Sequence, residues 1–243
     1  MAILIFENVS RVYPGSPPVS ALKSVSFQLQ RGAFAALVGP SGSGKTTLLN
    51  LASGLDFCSS GRIRVDNFDI SNLSSKELCK FRREKLGFVF QAYNLFPALT
   101  AIENVEYTNL IRGETTKVAR ENAQRALADV GLADKANKLP GQLSGGQQQR
   151  VAVARALATH AKIIFADEPT ANLDSKTAFN LIDLFEDLNR KHHVSFLFST
   201  HDSRLVDRAR EKIVIQDGEL VRDQSHVDRV LSVASSNPTF LEA

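Results

Sequence analysis

The chain has 243 residues, of which 43% are hydrophobic and 23% charged, and its net charge is +3. That length and balance fit one large domain, or one domain with an inserted subdomain, and give enough apolar material for a proper core. So mild a basic excess is too weak to argue for a nucleic-acid partner, and no Lys/Arg cluster changes this, so none is expected.

The first residues, MAILIFENVS, hold no basic stretch followed by an apolar run, so no signal peptide is expected. The spacing predicts strands at 3–9 and 21–30, joined by the Pro/Gly-rich connection YPGSPPVS. Phe34 to Val38 reads as a short buried strand that runs into GPSGSGKTTLLNLA, a glycine loop opening a helix. A hairpin is expected at 61–70, then a short helix capped by Ser74 or Ser75, then a buried strand at 86–90. From about Ala101 to Ala158 the pattern is helical, with Ala119, Ala123, Ala126, Leu127 and Val130 on one face. Strands return at 162–167 and 194–200 around a helix from about Ser175 to Arg190, and IVIQDGELV at 213–221 reads as a hairpin turning at Asp217-Gly218.

The pattern is a strand–helix core interrupted by helices, which predicts an α/β fold with a mostly parallel sheet. Cys58 and Cys79 lack C-x-x-C spacing and read as reduced thiols. The apolar runs are strand-length, short of the roughly eighteen residues a membrane span needs, so any membrane role must come through a partner. The tail at 223–243 is polar and weakly patterned.

Gly39-Pro40-Ser41-Gly42-Ser43-Gly44-Lys45-Thr46 fits G-x-x-x-x-G-K-[ST] between a strand and a helix. Glycines let such a loop curl so that successive N–H groups face the phosphates of a nucleotide. Lys45 supplies a cation to the β- and γ-phosphates, and Thr46 a hydroxyl for Mg²⁺. A carboxylate at the end of a neighbouring buried strand completes such sites, and Ile163-Ile164-Phe165-Ala166-Asp167 supplies one. Asp167 would then hold Mg²⁺ through water, leaving Glu168 as the general base for an attacking water. The bland alternative is that Asp167-Glu168-Pro169 only ends a strand in solvent.

LSGGQQQR at 143–150 begins a helix with two glycines, each unfavourable by about 1 kcal/mol against alanine inside a helix. Either they punctuate a turn, or an anion must approach the bare backbone at that helix start. The stretch alone does not decide.

Taken together these residues resemble the ATP-binding-cassette (ABC) ATPases, in order and over nearly the whole chain. The resemblance implies a P-loop nucleotide-binding core over 1–90 and 159–222, with an N-terminal antiparallel β-subdomain and a helical insertion with the signature helix over 91–158. It implies ATP and Mg²⁺ as ligands. LSGGQ is similar to the family's signature motif, so Ser144, Gly145 and Gly146 would face the γ-phosphate held by the Lys45 loop of a second, identical or homologous subunit paired head to tail. Tyr13 is similar to the aromatic that stacks on adenine. The loop Gly39 to Thr46, with Thr47, would bind the phosphates. Gln91 resembles the Q-loop glutamine that contacts Mg²⁺ and leads to the transmembrane partner, which places the metal among Thr46, Gln91 and Asp167. Asn172-Leu173-Asp174 resembles the D-loop, and His201 the switch histidine. His160, His192, His193 and His226 match nothing and read as surface residues.

LGFVFQAYNLFPALTAIENV and ADEPTANLD are most similar to the lipoprotein-release and macrolide-export group, although Ala171 stands where that group commonly has glycine. The resemblance implies an ATP-hydrolysing subunit of a transporter or mechanotransmission complex. Such a subunit is peripheral on the cytoplasmic face of the inner membrane and bound to integral permease subunits. The alternative is a soluble ABC ATPase, such as one serving iron–sulfur assembly. Within AYNLFPALT at 92–100, Tyr93, Leu95, Phe96 and Leu99 either plug the insertion's own core or line a groove for a membrane partner's helix.

Overall fold

A computed structural model of the chain describes residues 1–221, so the tail at 223–243 and His226 lie outside the described residues. The backbone forms two compact units, Met1–Leu78 with the chain from Leu197 onward, and Cys79–Phe196. The second takes in two strands as well as the helical segment.

In the first unit, β1 (Ala2–Tyr13) and β2 (Val19–Gln30) form an antiparallel hairpin, and β4 (Ser60–Val65) pairs with the other edge of β1. Both hairpin strands run further than their apolar alternation predicts, because the backbone ladder continues past the buried residues with bulges at Phe6/Val9 and Val9/Arg11. β4 turns through Asp66 and Asn67, both left-handed, into β5 (Phe68–Asp69), as a two-residue hairpin turn requires. The wholly buried β3 (Phe34–Val38) pairs in parallel with β9 (Glu211–Gln216), and β9 turns at Asp217-Gly218 into β10 (Glu219–Leu220). Helix α1 (Lys45–Ala52) follows β3 and buries Leu48, Leu49 and Leu51.

The second unit opens within helix α2 (Ser75–Lys85), where Ser74 accepts a hydrogen bond from the Glu77 N–H and so is the capping serine. Strands β6 (Leu86–Phe90) and β7 (Ile163–Asp167) pair in parallel, Phe90 opposite Asp167. Between them run α3 (Ala101–Ile111), α4 (Thr116–Asp129), two short 3₁₀ turns and α5 (Gly145–Leu157). Ala119, Ala123, Ala126, Leu127 and Val130 are all buried, as their spacing predicts. Gly87 lets α5 close on β6, since a Cβ there would stand 3.2 Å from the Ala156 carbonyl and 2.8 Å from Ile164 Cγ1. Helix α6 (Ser175–His192) is capped by Asp174 and followed by the wholly buried β8 (Ser195–Ser199), which returns the chain to the first unit and α7 (Ser203–Arg208). His160, His192 and His193 are exposed. Among the described residues no helix is long and apolar enough to cross a membrane.

Candidate functional site

In the first unit the buried β3 delivers the chain into the glycine loop. A Cβ on Gly39 would stand 2.1 Å from the Ile215 carbonyl oxygen, and one on Gly44 would stand 2.7 Å from that of Ala21. Gly44 is also left-handed, with φ 109°, and caps α1 without any side-chain hydrogen bond. The backbone N–H groups of the helix start are therefore left for a ligand, at the positive end of the helix dipole.

Lys45 is buried, and its ammonium curls over the loop to donate to the carbonyls of Gly39 at 2.7 Å and Pro40 at 2.9 Å. The Ser43 hydroxyl is buried with no hydrogen-bond partner. A cleft of about 430 Å³ is lined by Gly42, Gly44, Lys45, Thr46 and Thr47, by Val19 to Ala21 and Lys23 of β2, and by Asp217 and Gly218. Two lysines against one aspartate favour an anion there. Backbone donors, an unpaired buried hydroxyl and a cation on a loop with no room for a Cβ at Gly39 or Gly44 fit a polyphosphate.

The β9–β10 turn, which the sequence marks only as a hairpin, is part of this cradle. Gly218 N–H donates to the Ser43 carbonyl at 3.0 Å, and its own carbonyl accepts from Lys23 N–H at 2.8 Å. His201 follows β8 and is exposed, yet the protein beside it, and then the Lys45 ammonium, hold its pKa below the ordinary 6.5. Tyr13 ends β1 opposite Val19. Its hydroxyl donates to Asp56 at 2.8 Å.

The second unit carries the remaining expected residues. Glu168, just past the end of β7, is left-handed with φ 43°, an uncommon conformation for a residue with a Cβ and one that tends to mark functional turns. Buried Gln149 of α5 donates to the Pro169 carbonyl at 2.8 Å and to that of Phe90 at 3.4 Å, so one side chain ties together the ends of β7 and β6. Gln91 is exposed and paired with Asn172: Gln91 Nε2 donates to Asn172 Oδ1 at 3.4 Å, and Asn172 Nδ2 to the Gln91 carbonyl at 3.0 Å.

Tyr93 and Asn94 are both left-handed, and the Arg155 guanidinium donates to both their carbonyls, at 2.9 Å to Tyr93. Burial pushes the Arg155 pKa down. No sequence signal marks Gln149 or Arg155, because a polar residue on a helix face reads as solvent-exposed until something packs over it.

Ser144 caps α5 in a reciprocal box with Gln147, which explains the serine and the glutamine of LSGGQ within the chain itself. The two glycines also meet intrachain neighbours. A Cβ on Gly145 would stand 3.0 Å from the Tyr93 hydroxyl, and one on Gly146 would stand 2.3 Å from Thr177 Cγ2.

In the segment 92–100, Phe96 is exposed, and Tyr93, Leu95 and Leu99 are half-buried. None of the four belongs to the buried core. Asn104, wholly buried, holds the segment by accepting from Phe96 N–H at 2.7 Å and reaching the carbonyls of Phe96, Leu99 and Thr100. Phe96 packs edge-on against Tyr107, and Leu110, Ile111 and Val118 add further exposed apolar surface.

A parallel α/β core whose first strand feeds a glycine loop, a buried lysine and a helix start defines a P-loop nucleotide-binding protein. Residues 22–171 match the family described as ABC transporter. The chain is 41% identical over 227 residues to the lipoprotein-releasing system ATP-binding protein LolD of Pseudoalteromonas translucida, covering 93% of this chain and 98% of that one. It is 44% identical over 222 residues to the macrolide export ATP-binding/permease protein MacB of Marinobacter nauticus, covering 91% of this chain but only 34% of that longer one. A solved dimeric ATP-binding cassette of Methanocaldococcus jannaschii, described as a post-hydrolysis state bound to ADP and Pi, superposes with a TM-score of 0.80 at 41% identity, over 90% of this chain and 97% of that one. The chain belongs to the ABC transporter family, as an ATP-binding, ATP-hydrolysing subunit.

Proposed function

We propose that the chain powers a membrane complex of the lipoprotein-release or macrolide-export kind by hydrolysing ATP between two head-to-tail cassettes. The observation that carries this reading is the buried Lys45 on a glycine loop that leaves no room for a Cβ at Gly39 or Gly44. The loop N–H groups from Gly39 to Thr47 bind the phosphates, and Lys45 stabilises charge that develops on the β- and γ-phosphate oxygens. Glu168 takes a proton from water as its oxygen attacks the γ-phosphorus, and the bond to the β-phosphate oxygen breaks. His201, with its pKa held low, enters the reaction neutral and donates one N–H to the γ-phosphate. Thr46, Asp167 and Gln91 are the groups that would hold Mg²⁺, which neutralises phosphate charge when bound.

Ser144, Gly145 and Gly146 serve the γ-phosphate of the facing cassette, whose dimeric form is described for the archaeal relative. The apolar face of Phe96, Tyr107, Leu110 and Ile111 receives the permease subunits, which places the chain on the cytoplasmic face of the inner membrane. The similarity to a lipoprotein-releasing ATP-binding protein over nearly its full length supports this placement. The direct test is Lys45→Ala in purified protein: hydrolysis is expected to vanish and ATP affinity to fall at least tenfold. Wild-type turnover in that variant would sink the phosphate-loop assignment.

A further inference from the structure

We propose that Asp56 and Arg11 are positioning residues that fix Tyr13 as a platform with one open face for the base of the bound nucleotide. The proposal rests on the reading of Tyr13 as the base-stacking residue. Both atoms of the Asp56 carboxylate are engaged: Oδ2 accepts from the Tyr13 hydroxyl at 2.8 Å, and Oδ1 accepts from Arg11 Nη2 at 2.8 Å and from Phe57 N–H at 2.7 Å.

The guanidinium of Arg11 lies over the ring, its Cζ 4.4 Å from the Tyr13 centroid. The Arg11 and Asp56 side chains are only 19% and 18% exposed, and Arg11 Nε is buried without a hydrogen-bond partner. A buried, unpaired donor is unfavourable, so the stacked ring and the carboxylate must offset it. Arg11 has the flat, forked shape that can stack and pair at once, which a lysine lacks. One face of the ring is covered and its hydroxyl tethered, so a base has one face and one ring orientation to meet.

Asp56 also connects this platform to the phosphate loop. Leu55 and Asp56 both donate their N–H groups to the Asn50 carbonyl, in the last turns of α1. The helix that begins at Lys45 therefore ends on the residue that holds Tyr13. At 1.5 Å per residue, that eight-residue helix sets a spacing of roughly 12 Å between its two ends. Ser59 fixes the adjoining strand end, accepting from Val12 N–H at 2.9 Å. Val19, the cross-strand partner of Tyr13, lines the phosphate cleft. The base end and the phosphate end of the site are thus built on one element. Pre-setting the ring in this way removes the entropy loss of ordering it on binding.

The test compares ATP with inorganic triphosphate, which has no base, on the full chain. Asp56→Ala is expected to weaken ATP binding about fivefold while leaving triphosphate affinity and the saturating kcat unchanged. Tyr13→Ala is expected to do at least as much, and Asp56→Ala added to Tyr13→Ala is expected to do nothing further. Asp56→Asn keeps an acceptor for the hydroxyl but loses the ion pair, so it should fall between wild type and Asp56→Ala. It carries the same comparison if the alanine variant does not fold.

Wild-type ATP affinity in the Asp56 variants, with Tyr13→Ala weakened, would overturn the positioning role alone. Equal losses for ATP and triphosphate would overturn it too, as general damage to α1. Wild-type ATP affinity in Tyr13→Ala would overturn the reading of Tyr13 and the proposal with it.

Discussion

The hydroxyl of Tyr93 lies 3.0 Å from the point where a Cβ on Gly145 would stand. The kinked segment after β6 and the glycine start of α5 are therefore in contact, and Arg155, nearly three turns further along α5, holds the same kink by the carbonyls of Tyr93 and Asn94. Glycines that the sequence offers as either a turn or an anion site have a packing reason inside the chain. The Gln91–Asn172 pair ties the start of the same segment to the turn between β7 and α6.

Gly146 is the sharper case, because Thr177 Cγ2 would stand only 2.3 Å from its Cβ. That methyl is on a β-branched residue at the start of α6, and its N–H is held by Asp174, so it has little room to yield. Gly146→Ala should lower stability by about 1–3 kcal/mol. Combining it with Thr177→Ser removes the methyl and should restore most of the loss. Thermal unfolding of the two variants checks this, and an undiminished melting temperature for Gly146→Ala would refute it.

Glu168→Gln should keep ATP binding and lose hydrolysis by at least a hundredfold, because an amide cannot accept the proton from water. The γ-phosphate then persists, and a dimer should appear on size exclusion with ATP and disappear without it. A variant that stays monomeric with ATP and turns over at the wild-type rate would remove Glu168 as the base.

His201 carries a lowered pKa, caused first by burial and then by the Lys45 charge. The unfolded chain takes up this proton near pH 6.5, whereas the folded chain does so only at lower pH. The stability this histidine contributes is therefore fully present above pH 6.5 and is lost as the pH falls through its folded value. His160 is shifted in the same direction, first by burial. His201→Gln should thus show a smaller drop in melting temperature between pH 7.5 and 5.5 than the wild type. Parallel profiles for the two proteins would contradict the shift.

Phe96 is 47% exposed and meets Tyr107 edge-on, so a charge there removes little buried surface. Phe96→Asp should change stability by less than about 1 kcal/mol and leave ATP binding intact. Association with solubilised membrane subunits, and any turnover they stimulate, should be lost. Wild-type co-purification of a normally folded Phe96→Asp protein would exclude this face as the docking site.

Local patterns in the sequence were enough for the phosphate loop, because GPSGSGKT encodes its own backbone: a buried strand, left-handed glycines and a helix start follow from neighbours in the chain. The strands at 34–38 and 86–90 and the alanine face of α4 were legible for the same reason, since periodicity reports burial directly. Tertiary structure alone decided the partners of residues far apart in sequence. Asp56 reads as one more loop carboxylate until β1 brings Tyr13 and Arg11 to it, 43 and 45 positions away. Arg155 reads as a polar helix residue until the kink at Tyr93 lays two carbonyls against it. Ser144, Gly145, Gly146 and Gln147 look like a ligand motif, yet a capping box, a tyrosine hydroxyl and a threonine methyl each claim part of them. Hydrogen bonds and close approaches of this kind have no period and no fixed spacing, so they become visible only when the packed chain sets the distance between the two groups.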